Sequence, residues 1–415
     1  MVARRAGPEG GIPRLLVLGA GPAQLGLLAA ARERDLYVVA ADRDPAAPGF
    51  RLADRRALVS AEDEHGLERL AEAERVEGVI APGIDWPVAI AARIAERQAL
   101  PHPISAATAV LATSKPKQRQ RFREAGVPQP AFAVCRSQED AAAAAAQLRL
   151  PLVVKAPDRQ GQRGLGLVRR EEELEPAVGE ALGVSRSAAC ILEEYAPGRE
   201  VTVNAFSLGG RFFPLTVTDR KVAGPPAFGV ALAHAWPSSL QSAEIGAVVE
   251  AAGRAAAAVG VEEGPTYTQV LATAEGPKVI ELAARLGGGH DAELCRAALG
   301  VDLTGLSLAA ALGQEIDETL LVPTARRGGA CVRFLVPPPG RLAGVHGLEE
   351  AQGLEWIEFV RVYREPGWVF GPLRRGPDRA GAVLAVGLSR ADALTHAAEA
   401  VELIRFEIAD AGALV

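Results

Sequence analysis

A short apolar segment at residues 14–19 ends in glycine and is followed by a helical stretch at 24–34. Two more apolar segments, at 37–41 and 77–81, follow, and a charged helical stretch lies between them. Apolar strands that alternate with helices in this way are typical of a parallel sheet covered by helices on both faces. The sequence therefore predicts a doubly wound α/β domain, which we place at residues 12–110, after a flexible N-terminus at 1–11.

The middle of the chain has a different pattern, with antiparallel hairpins among its helices. In order, the sequence predicts a helix at 114–125, strands at 152–155, 167–169, 189–193, 201–208 and 211–218, a helix at 243–259 and a hairpin at 266–282. Short strands with Gly/Pro turns and one last helix at 390–406 complete the chain. The fold class is therefore α/β and α+β, with a second domain at 111–325 and a small α+β unit at 326–415.

Composition and charge exclude several classes of function. Hydrophobic residues make up 49% of the chain, the net charge is −6, and no long block of like charge is present, so we expect no nucleic-acid partner. The apolar segments are too short to span a membrane, and no signal peptide is recognisable. The four cysteines, Cys135, Cys190, Cys295 and Cys331, are far apart in the sequence. This spacing argues against a zinc site and against a disulfide framework, and it suits a protein of the reducing cytoplasm.

The glycine-rich turn after the first strand allows two interpretations. Gly19 and Gly21 follow a strand and open a helix, and Asp42 ends the next strand, as in a dinucleotide-binding fingerprint. However, Gly26 comes too late, and Pro22 and Gln24 occupy the intervening positions. We expect a structural turn or a contact to a small substrate, and NAD or FAD binding remains the alternative.

Two lysines and a glycine-rich loop favour a triphosphate ligand. Lys155 ends a predicted buried strand, and Lys115 begins a predicted helix. The loop at 161–166 contains Gly161, Gly164 and Gly166, with Arg163 among them. Ammonium groups on rigid elements offset phosphate charge, and glycine lets backbone N–H groups approach phosphate oxygens. Each lysine alone would more often be a solvated surface charge.

The segment 193–200 combines a strand end with an acidic turn. Its backbone around Glu194, Tyr195 and Ala196 could contact an adenine edge, and the carboxylate of Glu200 could accept hydrogen bonds from ribose hydroxyls. The alternative is an ordinary acidic turn on the surface.

The predicted hairpin at 266–282 offers a metal site. If its loop is centred near residue 275, Gln269 lies directly across from Glu281 on one face. Hard oxygen ligands of this kind suit Mg²⁺. A neighbouring arginine would satisfy Glu281 equally well, and that alternative stays open. Arg285 then leads into a glycine-rich segment that could bind an anion.

These elements, in this order, resemble the ATP-grasp superfamily, most of all its carbamoyl-phosphate-synthase large-chain-like and L-amino-acid-ligase-like branch. The resemblance rests on Lys115, the strand ending at Lys155, the glycine-rich loop, the turn at 193–200, and the segment from Gln269 through Glu281 to Arg285. It implies a preATP-grasp domain, a two-lobed ATP-grasp domain with an ATP lid at about 128–198, and a C-terminal unit.

The resemblance also implies roles for single residues. Lys115, Lys155 and the glycine loop with Arg163 would hold the ATP phosphates. Glu193 and the backbone at 194–196 would contact adenine, and Glu200 would contact the ribose. Gln269 and Glu281 would bind Mg²⁺ or Mn²⁺, and Arg285 would steady the transferred phosphoryl group. Catalytic roles thus fall to Arg285, Lys155 and Arg163.

Two features depart from the superfamily's pattern. Many relatives have an acidic residue where this chain has Gln269, and the usual E-x-N motif reads Glu281-Leu-Ala283. A two-metal site would therefore need other oxygens, such as those of water or Asp291.

The function that follows from the resemblance is ligation of a small carboxylate to an amine through an acyl phosphate. Bicarbonate activation through carboxyphosphate and a non-catalytic ATP-binding protein are the alternatives. The identities of the acid and the amine are left open, as is the choice between a monomer and a homodimer.

Overall fold

The computed structural model describes residues 11–159, 163–224 and 227–409. The predicted flexible N-terminus therefore lies almost entirely outside the described residues. The first elements of the chain are β1 (Arg14–Leu18), α1 (Leu25–Arg32), β2 (Tyr37–Ala41), β3 (Arg55–Ala57), α2 (Glu64–Ala73), β4 (Gly78–Ile80), α3 (Trp86–Arg97) and α4 (Ala106–Thr113). The four strands form a parallel sheet in the order β3-β2-β1-β4.

Both faces of this sheet are covered by helices. Leu15 packs in one hydrophobic cluster with Leu28 of α1. Leu16 packs in another with Leu67 of α2 and Ile90 of α3. Successive residues of a strand point to opposite faces, so an unbroken apolar strand needs apolar cover on both sides. The predicted doubly wound domain is confirmed.

A small antiparallel sheet follows, which we call the lid sheet. Its region contains α5 (Lys115–Glu124), β5 (Phe132–Cys135), α6 (Gln138–Ala145), β6 (Leu152–Lys155), β7 (Leu165–Val168), α7 (Leu174–Val184) and β8 (Cys190–Glu194). The strands lie in the order β5-β8-β6-β7. They share a core of their own with α6 and α7, which includes Leu152, Val178 and Leu192. The lid sheet and its two helices lie within the range predicted for an ATP lid.

The remaining strands build one large sheet and one small sheet. The middle of the chain supplies β9 (Arg199–Leu208), β10 (Arg211–Val222), β11 (Ala231–Trp236), α8 (Ser242–Val259), β12 (Gly264–Thr273), β13 (Gly276–Ala283), α9 (Asp291–Leu299) and α10 (Leu303–Ala311). The C-terminal region supplies β14 (Gly329–Leu335), β15 (Gly340–His346), α11 (Leu348–Gln352), β16 (Ile357–Val362), β17 (Val369–Phe370), β18 (Gly381–Gly387), α12 (Arg390–Leu403) and β19 (Arg405–Ala409).

The C-terminal region does not have a sheet entirely of its own. The large sheet runs in the order β13-β12-β9-β10-β11-β14-β18-β16, and only β17-β15-β19 form a separate small sheet. The region is α+β as predicted, but β14 pairs with β11 and continues the central sheet. This continuity carries the segments next to β16 and β18 to the same cleft as the middle of the chain.

Candidate active site

A cleft of about 850 Å³ opens between the lid sheet, the first domain, the polar face of the central sheet and the C-terminal region. Most of the predicted site residues meet in it. Those that line it are Lys115, Lys155, Arg163, Glu193, Glu194, Tyr195, Ala196, Glu200, Gln269, Glu281 and Arg285. Residues from distant parts of the sequence therefore come together at one place, as the sequence analysis requires.

The glycine-rich loop ends earlier than predicted. Gly161 lies outside the described residues, and Gly166 belongs to β7, where it pairs with Val154. Gly164 has a φ of +67° and accepts a hydrogen bond from the N–H of Ala156 at 3.0 Å. A Cβ at Gly164 would lie 2.5 Å from Val184, so glycine is required at this position for steric reasons as well. The loop between β6 and β7 thus ends at Gly164.

A buried cluster of charges joins the lid sheet to α5. The carboxylate oxygen Oε1 of Glu193 lies 2.7 Å from Nζ of Lys155 and 2.7 Å from Nη2 of Arg119. Glu193 is 3% exposed and Arg119 is 2% exposed. Burial alone would raise the pKa of Glu193, but the charges of Arg119 and Lys155 lower it. In the structure the carboxylate of Glu193 holds these two cations, and its contact with adenine stays a prediction.

The position of Lys155 in this cluster affects its protonation. Burial lowers the pKa of Lys155 to about 8, and the repulsion from Arg119 adds to the effect, although Glu193 opposes it. An ammonium with a lowered pKa gains from an additional anion close by, because the anion restores the charged form. Lys155 is therefore suited to receive a negatively charged ligand from the cleft.

The turn after β8 uses part of its backbone internally. The N–H of Tyr195 donates to the carbonyl of Pro151 at 2.9 Å, and the N–H of Glu194 donates to Ala131 at 2.9 Å. These two N–H groups hold the lid sheet together, and the contact of the backbone near Tyr195 with adenine stays a prediction. A ligand at the turn would have to use its remaining atoms, including those of Ala196, which lines the cleft and is 6% exposed.

The predicted pairing of Gln269 with Glu281 is confirmed by the register of β12 and β13. Lys115 Nζ lies 3.0 Å from Glu281 Oε1. Burial alone would raise the pKa of Glu281, but the charges of Lys115, Lys155 and Arg285 lower it to about 2. Glu281 is thus an anion at any ordinary pH, and both a lysine and an arginine contribute to its charge balance.

The donor set at this point fits one divalent cation. Gln269 donates its amide N–H to the Tyr267 hydroxyl at 3.3 Å, which leaves its carbonyl oxygen as the end that can bind a metal. A carboxylate and an amide oxygen on one face are hard ligands of the kind that Mg²⁺ prefers. Within the described ranges, no cluster of three or more His, Cys, Asp or Glu side chains could hold a metal. A metal here would need ligand oxygens as well as protein oxygens.

Asp291, considered above as a further metal ligand, has other partners. It is fully buried, lies 2.9 Å from Nδ1 of His234, and accepts a hydrogen bond from the N–H of Gly289 at 3.1 Å. Burial alone would raise the pKa of Asp291, but His234 and these hydrogen bonds lower it. Its contacts fix the orientation of His234, which lines the cleft and is left with Nε2 as the ring nitrogen that can exchange a proton with a ligand.

Arg285 is held by a carboxylate from the first domain. Its Nε and Nη2 lie 2.7 Å and 2.5 Å from Oδ1 of Asp85, and its guanidinium lies 5.5 Å from the Tyr267 ring centroid. Burial raises the pKa of Asp85. The negative charge of Glu281 raises this pKa further, while the charge of Arg285 opposes the shift. Sequence reasoning missed Asp85, although it follows β4 at the carboxyl edge of a parallel sheet, where ligands of such folds bind.

The turn after β1 does not present a dinucleotide site. The side chain of Gln24 folds back over the turn, so that a Cβ at Gly19 would lie 3.0 Å from its Cδ. Asp42 accepts hydrogen bonds from the N–H groups of Ala20 and Asp44 at 2.8 Å and 2.9 Å. The glycines and the acidic residue of the apparent fingerprint therefore stabilise the turn itself. Gln24 lines the cleft, which agrees with the expected small-substrate contact.

The end of the cleft next to the C-terminal region is rich in guanidinium groups. Arg220, on β10, forms an ion pair with Glu200, the predicted ribose contact. Arg379 lies just before β18, stacks on Phe334 at 3.6 Å, and donates to the carbonyls of Ala231 and Gly376 at 3.2 Å and 2.8 Å. Burial lowers the pKa of Arg379 to about 10, and repulsion from Arg220 adds to this. Because these hydrogen-bond partners are neutral carbonyls, they compensate the positive charge of Arg379 poorly.

Besides Asp85, the residues that were not predicted include Arg220, His234 and Arg379, which line the cleft, and the buried Arg119. Arg220 and His234 lie opposite each other on paired strands, so their proximity depends on a register that the sequence does not encode locally. Arg379 comes from a loop with no recognisable motif. Of these, Asp85 follows a predicted strand and Arg119 lies within the predicted helix at 114–125, so these two gave a signal that could have been used.

Comparison with known proteins agrees with this geometry. Residues 115–319 match the family model of the carbamoyl-phosphate synthase L chain, ATP binding domain, and residues 333–409 match that of L-amino acid ligase C-terminal domain 2. Across the described residues, no helix is both long and apolar enough to cross a membrane.

Individual relatives extend over different parts of the chain. An uncharacterized protein, y4rH, of Sinorhizobium fredii is 29% identical over 301 residues, which are 71% of this chain and 61% of that protein. A formate-dependent phosphoribosylglycinamide formyltransferase of Burkholderia pseudomallei is 32% identical over 166 residues, 40% of this chain and 41% of the relative. The chain thus matches less than two thirds of the length of either relative.

Two solved structures cover nearly the whole chain. An L-amino acid ligase from Bacillus licheniformis superposes with a TM-score of 0.81 at 20% identity, over 96% of this chain and 99% of that one. A phosphoribosylglycinamide synthetase from Anaerococcus prevotii gives a TM-score of 0.78 at 19% identity, over 96% and 100%. At these identities the likeness establishes the fold.

Proposed function

We propose, from the premise that this chain belongs to the ATP-grasp superfamily, that it is an ATP-dependent ligase that joins a small carboxylic acid to an amine through an acyl phosphate. The observation that carries the proposal is the meeting of Lys115, Lys155, Gln269, Glu281 and Arg285 in one cleft. The relatives whose printed names specify a reaction include an L-amino acid ligase and a phosphoribosylglycinamide synthetase, both of which form C–N bonds.

We assign the phosphates of ATP to the two lysines and Arg163. Lys115 reaches the cleft from α5 and Lys155 from the lid sheet, and Arg163 begins the described part of the glycine-rich loop. Such an arrangement serves phosphoryl transfer, which depends on positioning and charge neutralisation more than on covalent catalysis. Adenine would lie against the turn at 194–196, and the ribose near Glu200.

Glu281 and Gln269 would hold Mg²⁺ or Mn²⁺ together with the phosphates. When bound, the metal would supply neutralisation of phosphate charge. Glu281 is ionised at any ordinary pH, so the site needs no deprotonation before a cation binds. Because one carboxylate and one neutral amide carry a single negative charge, we expect the cation to bind weakly alone and well with ATP.

The acid would bind at the guanidinium-rich end of the cleft, and Arg285 would stabilise charge on the transferred phosphoryl group. In the first step a carboxylate oxygen bonds to the γ-phosphorus and ADP leaves. In the second the amine nitrogen bonds to the acyl carbon, phosphate leaves, and the nitrogen loses a proton. His234, oriented by Asp291, is the group in the cleft best placed to accept that proton.

A coupled ADP-release assay over amino acids and small carboxylates, each with and without an amine, tests the proposal. We expect ADP release that depends on Mg²⁺, the acid and the amine together. Release with bicarbonate in place of an organic acid would indicate carboxyphosphate chemistry instead. Binding of ATP with no release across the whole panel would indicate a non-catalytic ATP-binding protein.

We also propose a cytoplasmic location, since all four cysteines are buried free thiols.

Binding of an ATP analogue above pH 8 should be accompanied by proton uptake at Lys155. The pKa of this ammonium is lowered to about 8 in the free protein, so a growing fraction is neutral above that pH. Phosphate oxygens favour the charged form and should raise the pKa, so binding recharges the group. Lys115, whose pKa is raised because Glu281 and Asp85 outweigh the effect of burial, should not contribute.

Calorimetry at pH 8.5 (about half a unit above that pKa) in two buffers of different ionisation enthalpy measures this uptake. The apparent enthalpies should differ for the natural protein and agree for Lys155→Met. Lys278→Met, which changes a partly exposed lysine near the start of β13, is the matched control and should behave as the natural protein does. Equal enthalpies in both buffers for the natural protein would contradict the assignment.

Replacing Arg379 by Ala should weaken acid binding and leave nucleotide binding unchanged. A charge-assisted hydrogen bond contributes about 1.5–3 kcal/mol, so the KM for the acid should rise about 10- to 100-fold. Arg374→Ala, which removes an exposed arginine of the same loop, is the control and should leave the KM unaltered. A rise in the KM for ATP in place of that for the acid would show that Arg379 lies at the nucleotide end.

A further inference from the structure

We propose that Arg119 is a positioning residue that aims Glu281 into the cleft and links that orientation to the lid sheet. This inference rests on the proposed function for the role of Glu281 as a metal ligand. Its structural basis is a β-bulge in β13 and the contacts that a single buried guanidinium makes on either side of it.

The bulge decides which face of the central sheet Glu281 occupies. From Thr273 opposite Gly276 to Val270 opposite Val279, β12 and β13 pair in regular register. The register then shifts, and Gln269 lies opposite Glu281. If Ile280 instead paired with Gln269 in the regular ladder, Glu281 would face Thr268 and point to the other side of the sheet. Thr268 is completely buried there. The bulge is therefore a condition for the site.

Arg119 contacts the backbone at the bulge directly. Its Nη1 donates to the carbonyl of Val279 at 2.7 Å, and its Nη2 donates to the carbonyl of Ile280 at 2.8 Å. A bulge leaves backbone groups without ladder partners, and buried carbonyls need a donor. The guanidinium supplies two donors at the required spacing.

Two other side chains of α5 complete this support. Gln118 donates to the carbonyl of Leu282 at 2.7 Å and accepts from its N–H at 3.0 Å, as a neighbouring strand would. Lys115 bonds to the carboxylate of Glu281 itself at 3.0 Å. Residues three and four positions apart share one face of a helix, so this face of α5 contacts β13 from residue 279 to residue 282.

The same guanidinium also reaches the lid sheet. Its Nε lies 2.8 Å from Oε1 of Glu193 and its Nη2 lies 2.7 Å from the same oxygen, while Nη1 donates to Gln129 at 3.1 Å. All of the N–H groups of Arg119 thus have acceptors, on β13, on β8 and in the segment before β5. Glu193 in turn bonds to Lys155 of β6 at 2.7 Å. A shift of the lid sheet would therefore be transmitted to the strand that carries Glu281.

Arg119→Lys tests the inference, because lysine keeps the charge but its three N–H donors on one nitrogen cannot serve the four acceptors of the guanidinium. The affinity for Mn²⁺, measured by electron paramagnetic resonance in the presence of a non-hydrolysable ATP analogue, should fall about 10- to 100-fold. Changes to residues that hold a metal ligand in place typically have an effect of this size. Analogue binding without metal should change much less. Backbone amides of β13 should also exchange hydrogen faster, with or without nucleotide.

Arg121→Lys is the matched control: it lies on α5, is exposed and pairs with Glu124, and it should have no effect. If Arg119→Lys does not fold, Gln118→Met removes both contacts to Leu282, together with a bond to the carbonyl of Ala112, and should weaken Mn²⁺ binding in the same selective way. Unchanged Mn²⁺ affinity in the folded variants, or an equal loss of metal and nucleotide binding, would overturn the positioning role. A natural protein that binds no Mn²⁺ beside the nucleotide would overturn the proposed function as well.

Discussion

Replacing Glu281 by Gln should lower turnover by about 10³-fold or more, because neutralisation of phosphate charge by a metal supplies several kcal/mol. Glu281 is the anionic member of the predicted metal pair, and its carboxylate is ionised at any ordinary pH. Gln has nearly the same shape, so the change removes the charge and keeps the volume. Rates of Mg²⁺-dependent ADP release measure the effect.

The same variant should bind metal-free ATP at least as tightly as the natural protein does. Glu281 holds Lys115 at 3.0 Å, and it therefore competes with the phosphates for that ammonium. Its loss should release Lys115 for the phosphates and at the same time abolish metal-dependent turnover. Calorimetry with ATP and a chelator measures this affinity. A general loss of structure would weaken both properties, so the opposite signs separate a metal ligand from a folding residue.

Two further variants on the same hairpin complete the test. Gln269→Glu should be tolerated and should tighten metal binding, because it adds a second negative charge beside Glu281. Glu275→Gln changes an exposed residue of the β12–β13 turn, with 80% of its side chain accessible, and should have no effect. Near-normal Mg²⁺-dependent turnover in Glu281→Gln would show that the metal binds elsewhere.

Local patterns in the sequence were sufficient to find this hairpin, but not to explain it. Strand alternation and a turn near residue 275 correctly predicted that Gln269 faces Glu281. The turn itself is tighter than assumed, with Thr273 opposite Gly276, and the bulge at Ile280 restores the pairing. A bulge of this kind is stabilised from outside the strand, here by Arg119, so the sequence of the hairpin alone could not reveal it.

The remaining gaps have the same physical origin. α3 was not predicted; it is buried over most of its surface, from Pro87 to Ala95, against residues from other parts of the chain. The acid end of the cleft depends on β14 joining β11 and on a loop that brings in Arg379. Such contacts between distant segments are properties of the folded chain. By contrast, Lys155 ends a buried strand that its neighbouring apolar residues already indicate, so its position could be predicted from the local sequence.

Replacing Arg285 by Lys should lower kcat by about 10²- to 10³-fold and change the KM for ATP little, because loss of one preorganised donor to a developing charge has an effect of this size. The guanidinium of Arg285 bonds to Asp85 through two nitrogens and donates through Nη1 to the carbonyl of Leu286 at 2.9 Å. Burial alone would lower the pKa of Arg285, but Asp85 and Glu281 raise it, so the group stays charged. Lysine keeps the charge and loses this fixed orientation.

Asp85→Asn should reduce kcat less than Arg285→Lys does, since Asp85 acts on the reaction only by orienting the guanidinium. The combined variant should be no slower than Arg285→Lys alone, because residues that act as one unit are not additive. Arg296→Lys, on α9 with 60% of its side chain exposed, controls for the substitution. Fully additive losses would mean that Asp85 contacts a substrate independently of Arg285, and the first domain would then belong to the binding site for the acid or the amine.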